Sequence, residues 1–191
     1  PHKKKFHFEE KLKLSTMDTL EKTILNFEKN KEAILLFRSN AYKYISKNPT
    51  KIPSFIGAGN NPIALGVTNN LESPSKNATG VTYYIPLEKH FKIFKSIFPN
   101  MKKLALITEY NHPGGKIERK ETKELCKTYN LDCHFIEIRK PMEIKTAVTK
   151  LDKEVDFIIL GAEDLIMRNT KKIISLTSTP VLAYASKPVQ D

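Results

Sequence analysis

The rhythm of the second half constrains this chain most: short apolar runs alternate there with amphipathic helical patterns. The order begins with a helix over 86–98, whose Leu87, Phe91, Phe94 and Phe98 form one stripe, followed by "KKLALIT" as a strand. Next come a helix over 115–129, the strand "CHFIEI", a helix over 142–151, the strand "DFIILG", a helix over 164–176 and the strand "PVLAYA". Strands that are this short, with a helix between each pair, cannot join as hairpins. They need crossover connections, which predicts a parallel sheet with helices on both faces.

The first half repeats the pattern less cleanly. "KLKLS" (11–15) alternates as a strand, and Asp18-x-x-Glu21 reads as a cap before a helix whose Leu20, Ile24 and Phe27 share a face. "AILLF" (33–37) is a continuous apolar run, as expected of a strand buried on both faces. Ser39 or Asn40 is placed to cap the helix "AYKYISKN", and "SFIGAG" after Pro53 reads as a third strand, followed by the turn-rich "NNPIALGVTNN". The stretch "SPSKNATGVTYYIP" (73–86) then reads as a turn, a short strand and a helix start at Pro86. The expected organisation is an N-terminal lobe over 1–80, then a hinge crossing and C-terminal lobe over 81–191.

Charge and composition narrow the function. The net charge of +11 invites a nucleic-acid reading, since clustered cations release counterions from a phosphate backbone. The 28 lysines and four arginines are spread along the chain, however, with "HKKK" as the dense run, and no nucleic-acid motif is present. A basic nucleic-acid-associated protein therefore ranks below a binding protein with a solvated lysine surface. No apolar run approaches a membrane span, and the charged opening "PHKKKFHFEEKLKL" is unlike a signal peptide. Cys126 and Cys133 have six residues between them, which fits neither a CxxC pair nor a zinc half-site; two separate buried thiols and a disulfide both remain open.

In parallel α/β sheets ligands bind beyond the carboxyl ends of the strands. That rule picks out "FRSN", "GAGNN", "TEYNHPGG", "IRKP" and "GAEDL". "GAGNNP" is either a backbone-rich wall for a ligand or a turn whose Gly and Asn tolerate positive φ. "HPGG" offers amides at a helix start but matches no nucleotide loop, and His112 has no partner nearby in sequence for catalysis. Glu163 and Asp164 are adjacent carboxylates that point apart on a helix. No catalytic constellation, metal site or cofactor motif is expected, and an α/β enzyme acting on a phosphorylated metabolite through "HPGG" is the weakest alternative.

The order of these motifs resembles the bacterial family of extracytoplasmic substrate-binding proteins of ABC transporters that includes the tryptophan- and tyrosine-type binding proteins. Ile52-Pro53-Ser54-Phe55 leading to Asn60-Asn61-Pro62 is similar to the family's strand and T-D-P, and Pro74 to Val81 stands where "PGGNxTGV" would be. "EVDFIILGAEDL" resembles "xVDaixvpxDN", and "TPVLAYAS" resembles "iPVfasd". The chain departs from the pattern at Ser75 and Lys76 (for two glycines), Asn61 (for Asp), Glu163-Asp164 (for Asp-Asn) and Ala185-Ser186 (for acidic residues).

The resemblance implies a two-lobed, periplasmic-binding-protein-like α/β fold with Rossmann-like lobes, located in the periplasm or at the cell surface. It implies no enzymatic activity and no cofactor. A small, aromatic amino-acid-like ligand would be bound between the lobes by hinge closure, with an ABC permease as partner. The related alternative is the extracellular sensor domain of a histidine kinase or similar receptor, whose "G-V-N-N" the "IGAGNNP" stretch resembles. Ser39, Asn40, Asn60, Asn61, Tyr83, Tyr110, Asn111, Glu163 and Asp164 are the expected ligand-binding residues. By the family pattern the first lobe reads as incomplete, which would expose sheet edge and apolar surface and favour a dimer.

Overall fold

The computed structural model describes residues 7–10, 14, 16–73 and 76–184. The expected strand over 11–15 falls outside them except for Leu14, as do Pro74, Ser75, Ala185 and Ser186. The chain divides into two compact units, Pro1–Thr82 and Tyr83–Asp191.

The first unit begins with helix α1 (Met17–Asn30). Its cap is Thr16 rather than the expected Asp18-Glu21 pair: the Thr16 hydroxyl accepts the Thr19 N–H (3.2 Å) and Thr19 bonds back to the Thr16 backbone. Strands β1 (Ile34–Phe37), β2 (Ser54–Gly59) and β3 (Ala78–Thr82) form a parallel sheet in sequential order. Helix α2 (Ser39–Lys47) packs on β1 and β2, and α1 packs on α2. Ile34, Leu36 and Ile56 are buried on the covered face with Tyr42 and Ile45 of α2.

The expectation that 33–37 is buried on both faces is not met. Among the described residues the opposite face is open, with Leu35 52%, Phe37 61% and Phe55 45% exposed. An apolar run shows that a strand can be buried twice over, but it does not supply the second layer.

At the end of this unit the Thr79-Gly80 pair has a steric reason. Gly80 has φ 155°, and a Cβ there would fall 1.9 Å from the Ile56 carbonyl oxygen of the neighbouring strand. Before it, Lys76 and Asn77 take positive φ (52° and 55°). Lys76 meets that conformational cost with two bonds from its ammonium, to the Ser46 carbonyl (2.8 Å) and the Gly66 carbonyl (2.6 Å).

The second unit contains α3 (Leu87–Ile97), β4 (Lys103–Glu109), α4 (Pro113–Thr128), β5 (Asp132–Ile138), α5 (Glu143–Leu151) and β6 (Phe157–Leu160), followed by α6 (Asp164–Arg168), α7 (Thr170–Ile174) and β7 (Val181–Ala183). Its four strands are parallel in the order β5-β4-β6-β7. Both faces are covered. Leu104, Leu106, Phe157 and Ile159 pack with Phe91 and Phe94 of α3, whereas Ala105, Ile107, Ile158 and Leu160 pack with Ile144 and Val148 of α5 and with Ile166 and Ile173.

The helix expected over 164–176 is broken in two at Asn169. The Asn169 side chain donates to the Leu165 carbonyl (2.8 Å) and the Thr170 hydroxyl to that of Met167 (3.0 Å), so side chains compete for the turn's own acceptors. The two cysteines form a disulfide joining the last turns of α4 to the start of β5.

Candidate functional site

The carboxyl ends of the first sheet carry Ser39, Asn40, Asn60 and Asn61. No side chain caps α2: Arg38 occupies the cap position at φ 79°, and Ser39 is the first helical residue. The buried Ser39 hydroxyl accepts the Asn60 N–H instead (3.1 Å). Asn60 is also buried, and its side-chain oxygen accepts the Asn61 N–H (2.6 Å). The Asn61 oxygen accepts from Ile63 and Ala64 (3.1 Å each) and so starts the turn that follows. Thr82 closes the group by donating to the Gly59 carbonyl (2.6 Å). Asn40 is exposed.

In "GAGNN" the positive φ falls on Ala58 (51°), not on a glycine. Gly59 is required for close approach, because a Cβ there would lie 2.4 Å from the Tyr42 ring. The loop is largely satisfied within itself. A cavity of about 170 Å³ in this unit, lined by Tyr42, Ile56, Val67, Thr68, Gly80 and Thr82, is smaller than the roughly 300–1,000 Å³ usual for small-molecule pockets.

The second sheet offers more. Its strand order reverses at β4, so the crevice beyond β4 and β6 is a topological switch point, the position where open α/β sheets bind ligands. Tyr110 and Asn111 follow β4, and Glu163 and Asp164 follow β6. Tyr110 is 46% exposed, its N–H donates to the Ile138 carbonyl (2.9 Å), and the Arg139 guanidinium lies 4.0 Å from its ring centroid. Asn111 sits at φ 57°, donates its N–H to Glu137 (3.3 Å) and accepts the Lys116 ammonium on its side chain.

Glu163 is only 2% exposed, so its carboxyl is part of the wall behind the rim. It accepts the Glu109 N–H (3.3 Å) and shares a hydrogen bond with the buried carboxyl of Glu118. Glu118 in turn accepts the Ala162 N–H (3.3 Å), and Glu109 that of Leu165 (3.3 Å). Burial, only partly offset by these bonds, pushes the Glu163 carboxyl up to about 7. Two glycines leave room for it: a Cβ on Gly115 would fall 2.6 Å from one carboxyl oxygen, and one on Gly161 would fall 2.4 Å from the other. Asp164 is exposed at the start of α6, 3.7 Å from Arg168. Tyr83 opens the unit, partly exposed.

Two readings of the sequence take a definite form here. His112 is the cap of α4, its Nδ1 accepting the Gly114 N–H (3.1 Å), and the helix starts at Pro113 rather than 115. Residue-type reasoning passed over Arg139 and Glu118, and weighed Glu109 only as a general base beside "HPGG". Arg139 lies in "IRKP", a loop marked by its place after a strand, but its residue type alone does not set it apart from the chain's other surface cations. Glu118 is hidden in the charged run "KIERKETKE", which looks like a solvated helix face.

The sequence profile of the ABC transporter substrate binding protein family matches residues 13–191. The chain belongs to that family. Members of this family bind substrates rather than convert them, and they work outside the cytoplasm. Among curated proteins the chain is 23% identical over 171 residues to the tyrosine-binding protein of Clostridioides difficile, a match that covers 87% of this chain and 50% of that one. Two solved structures share the fold. A conserved domain protein from Vibrio cholerae superposes with a TM-score of 0.76 at 18% identity, covering 90% of this chain and 59% of that one. The ABC domain in complex with L-Trp from Streptococcus pneumonia gives 0.75 at 19%, covering 91% and 60%. The chain thus spans about half the length of the curated relative and about 60% of these structures. Among the described residues no helix is long and apolar enough to cross a membrane.

Proposed function

We propose that this chain binds an aromatic amino acid outside the cytoplasm, as the substrate-binding component of an ABC uptake system. Closure of two lobes on the ligand is the mechanism the family resemblance implies, with a permease receiving the occupied form. The observation that carries the reading is the rim at the carboxyl ends of the second sheet's β4 and β5, beside its switch point. A half-exposed tyrosine, an arginine stacked on it and amide groups meet there, which is the chemistry an aromatic zwitterion needs. Relatives described as binding tyrosine and L-Trp support the ligand class. The disulfide accords with an oxidising location.

Of the residues named from sequence, Tyr110, Asn111 and Asp164 present surface for ligand contact, and Asn40 and Tyr83 are further exposed candidates. Ser39, Asn60, Asn61 and Glu163 serve the ligand by holding backbone and loops in place. The test is a thermal-shift screen against the amino acids, with tyrosine, tryptophan and phenylalanine foremost. A ligand at 100 times its dissociation constant adds about 2.7 kcal/mol of stability, a readily visible shift. Stabilisation by an aromatic amino acid is the expected result; no shift with any amino acid overturns the reading.

A further inference from the structure

The charged groups around the second sheet's rim are mostly committed to one another. Glu137 pairs with Arg119 (2.7 Å), which also donates to the Thr108 hydroxyl (2.9 Å). Glu143 accepts the backbone N–H of Arg139 (2.8 Å), and Glu109 accepts that of Leu165 (3.3 Å). The Arg139 guanidinium is different. It lies over the Tyr110 ring, 4.0 Å from the centroid, and no carboxylate among the described residues pairs with it.

Its position is well determined. The register of β4 against β5 pairs Glu109 with Ile138, so the residues that follow, Tyr110 and Arg139, leave the sheet side by side. The Tyr110 N–H bond to the Ile138 carbonyl (2.9 Å) ties the two segments together just before they diverge. A guanidinium that contacts an aromatic ring keeps in-plane N–H donors for a second partner, and that flat fork matches both oxygens of a carboxylate.

Resting on the amino-acid reading above, we propose that Arg139, carried on the ring of Tyr110, holds the α-carboxylate of the ligand and makes the site select amino acids over the corresponding amines. Tyr110 is then a positioning residue that also offers its free edge to the ligand's aromatic group.

The test is calorimetric titration of the chain with tyrosine against tyramine and tryptophan against tryptamine. Wild-type, Arg139→Gln, Arg139→Lys and Tyr110→Leu proteins are compared, with circular dichroism confirming that each is folded. The wild type is expected to favour each amino acid over its amine by about 10- to 100-fold, the range for a charge-assisted hydrogen bond. Arg139→Gln should weaken the amino acid by that factor and leave the amine unchanged; Arg139→Lys should restore part of the loss, and Tyr110→Leu should weaken the amino acid less than Arg139→Gln does. Equal affinity for the amino acid in wild type and Arg139→Gln overturns the inference and leaves the aromatic-amino-acid reading standing. So does a parallel loss for amino acid and amine, which would mark Arg139 as a general structural contact. A wild-type protein that binds none of the four removes the reading itself, and the carboxylate anchor with it.

Discussion

The two units have the same strand-helix grammar and use it differently. In the second, each strand side chain from Leu104 to Ile107 and from Phe157 to Leu160 is fully buried, because α3 and α4 cover one face and α5 to α7 the other. In the first, α2 covers one face and Leu35, Phe37 and Phe55 remain open on the other. The loops follow a complementary division. Ser39, Asn60, Asn61 and Thr82 bind one another at the carboxyl ends of the first sheet, while those of the second keep a tyrosine and an arginine facing outwards. A doubly covered sheet can hold a charged rim rigidly, and that is where the proposed ligand site lies.

Core substitutions test this contrast with the largest effect. Phe157→Ala removes a ring packed between Phe94 and Phe98 and should cost about 3–5 kcal/mol in denaturant unfolding. Leu35→Ser on the open face should stay within about 0.5 kcal/mol. A loss of about 2 kcal/mol or more at Leu35, well beyond the ~0.5 kcal/mol usual for surface changes, would mean that the face is covered and the contrast is wrong.

The next effect is that of pH on the second unit. Glu163 is held protonated by burial up to about pH 7, above the 4.5 of an ordinary glutamate, so the folded state binds the proton more tightly than the unfolded chain does. Its contribution is therefore fully present below about 4.5 and is lost as pH rises to about 7, a change on the order of 3 kcal/mol. Asp152 acts in the opposite sense. Hydrogen bonds from Thr177 and Ser178 hold it down at about 2, so its stabilisation is present above the ordinary aspartate range and is lost as pH falls through about 2. Denaturation midpoints across pH should thus peak on the acidic side of neutrality, and Glu163→Gln should flatten the decline between pH 4.5 and 7. An unchanged slope in that variant would remove Glu163 as its source.

The smallest of these unit-wide effects comes from the disulfide. Reducing Cys126–Cys133 opens a short loop and should lower the stability of the second unit by roughly 2–3 kcal/mol, a figure that follows from loop-closure entropy. The first unit should not respond. Comparing melting with and without reductant, followed by hydrogen exchange in each unit, separates the two; a response of equal size in the first unit would show that they do not fold independently.

Much of the second unit was legible because hydrophobic period reports burial directly. The stripe of Leu87, Phe91 and Phe94 and the runs in β4 and β6 are core signals, and the order of elements gave the parallel sheet. The break at Asn169 was not legible, since side chains bonding back to Leu165 and Met167 leave no mark on that period. Glu118 could not be picked out because its burial depends on Glu163 and Ala162, distant in sequence, while its neighbours on α4 are charged. For the same reason, Arg139 gains meaning only through strand register, which sets it beside Tyr110. The single-sided burial of β1 is a property of the layers around it, so the strand's own residues could not announce it.

The most direct test of the account is hydrogen–deuterium exchange of the whole chain with and without saturating L-tyrosine or L-tryptophan. Ligand binding at the rim of the second sheet predicts slowed exchange at Tyr110, Asn111, Arg139 and the backbone from Ala162 to Leu165. No change at these amides, or protection confined to the loop over residues 68–73, would contradict it.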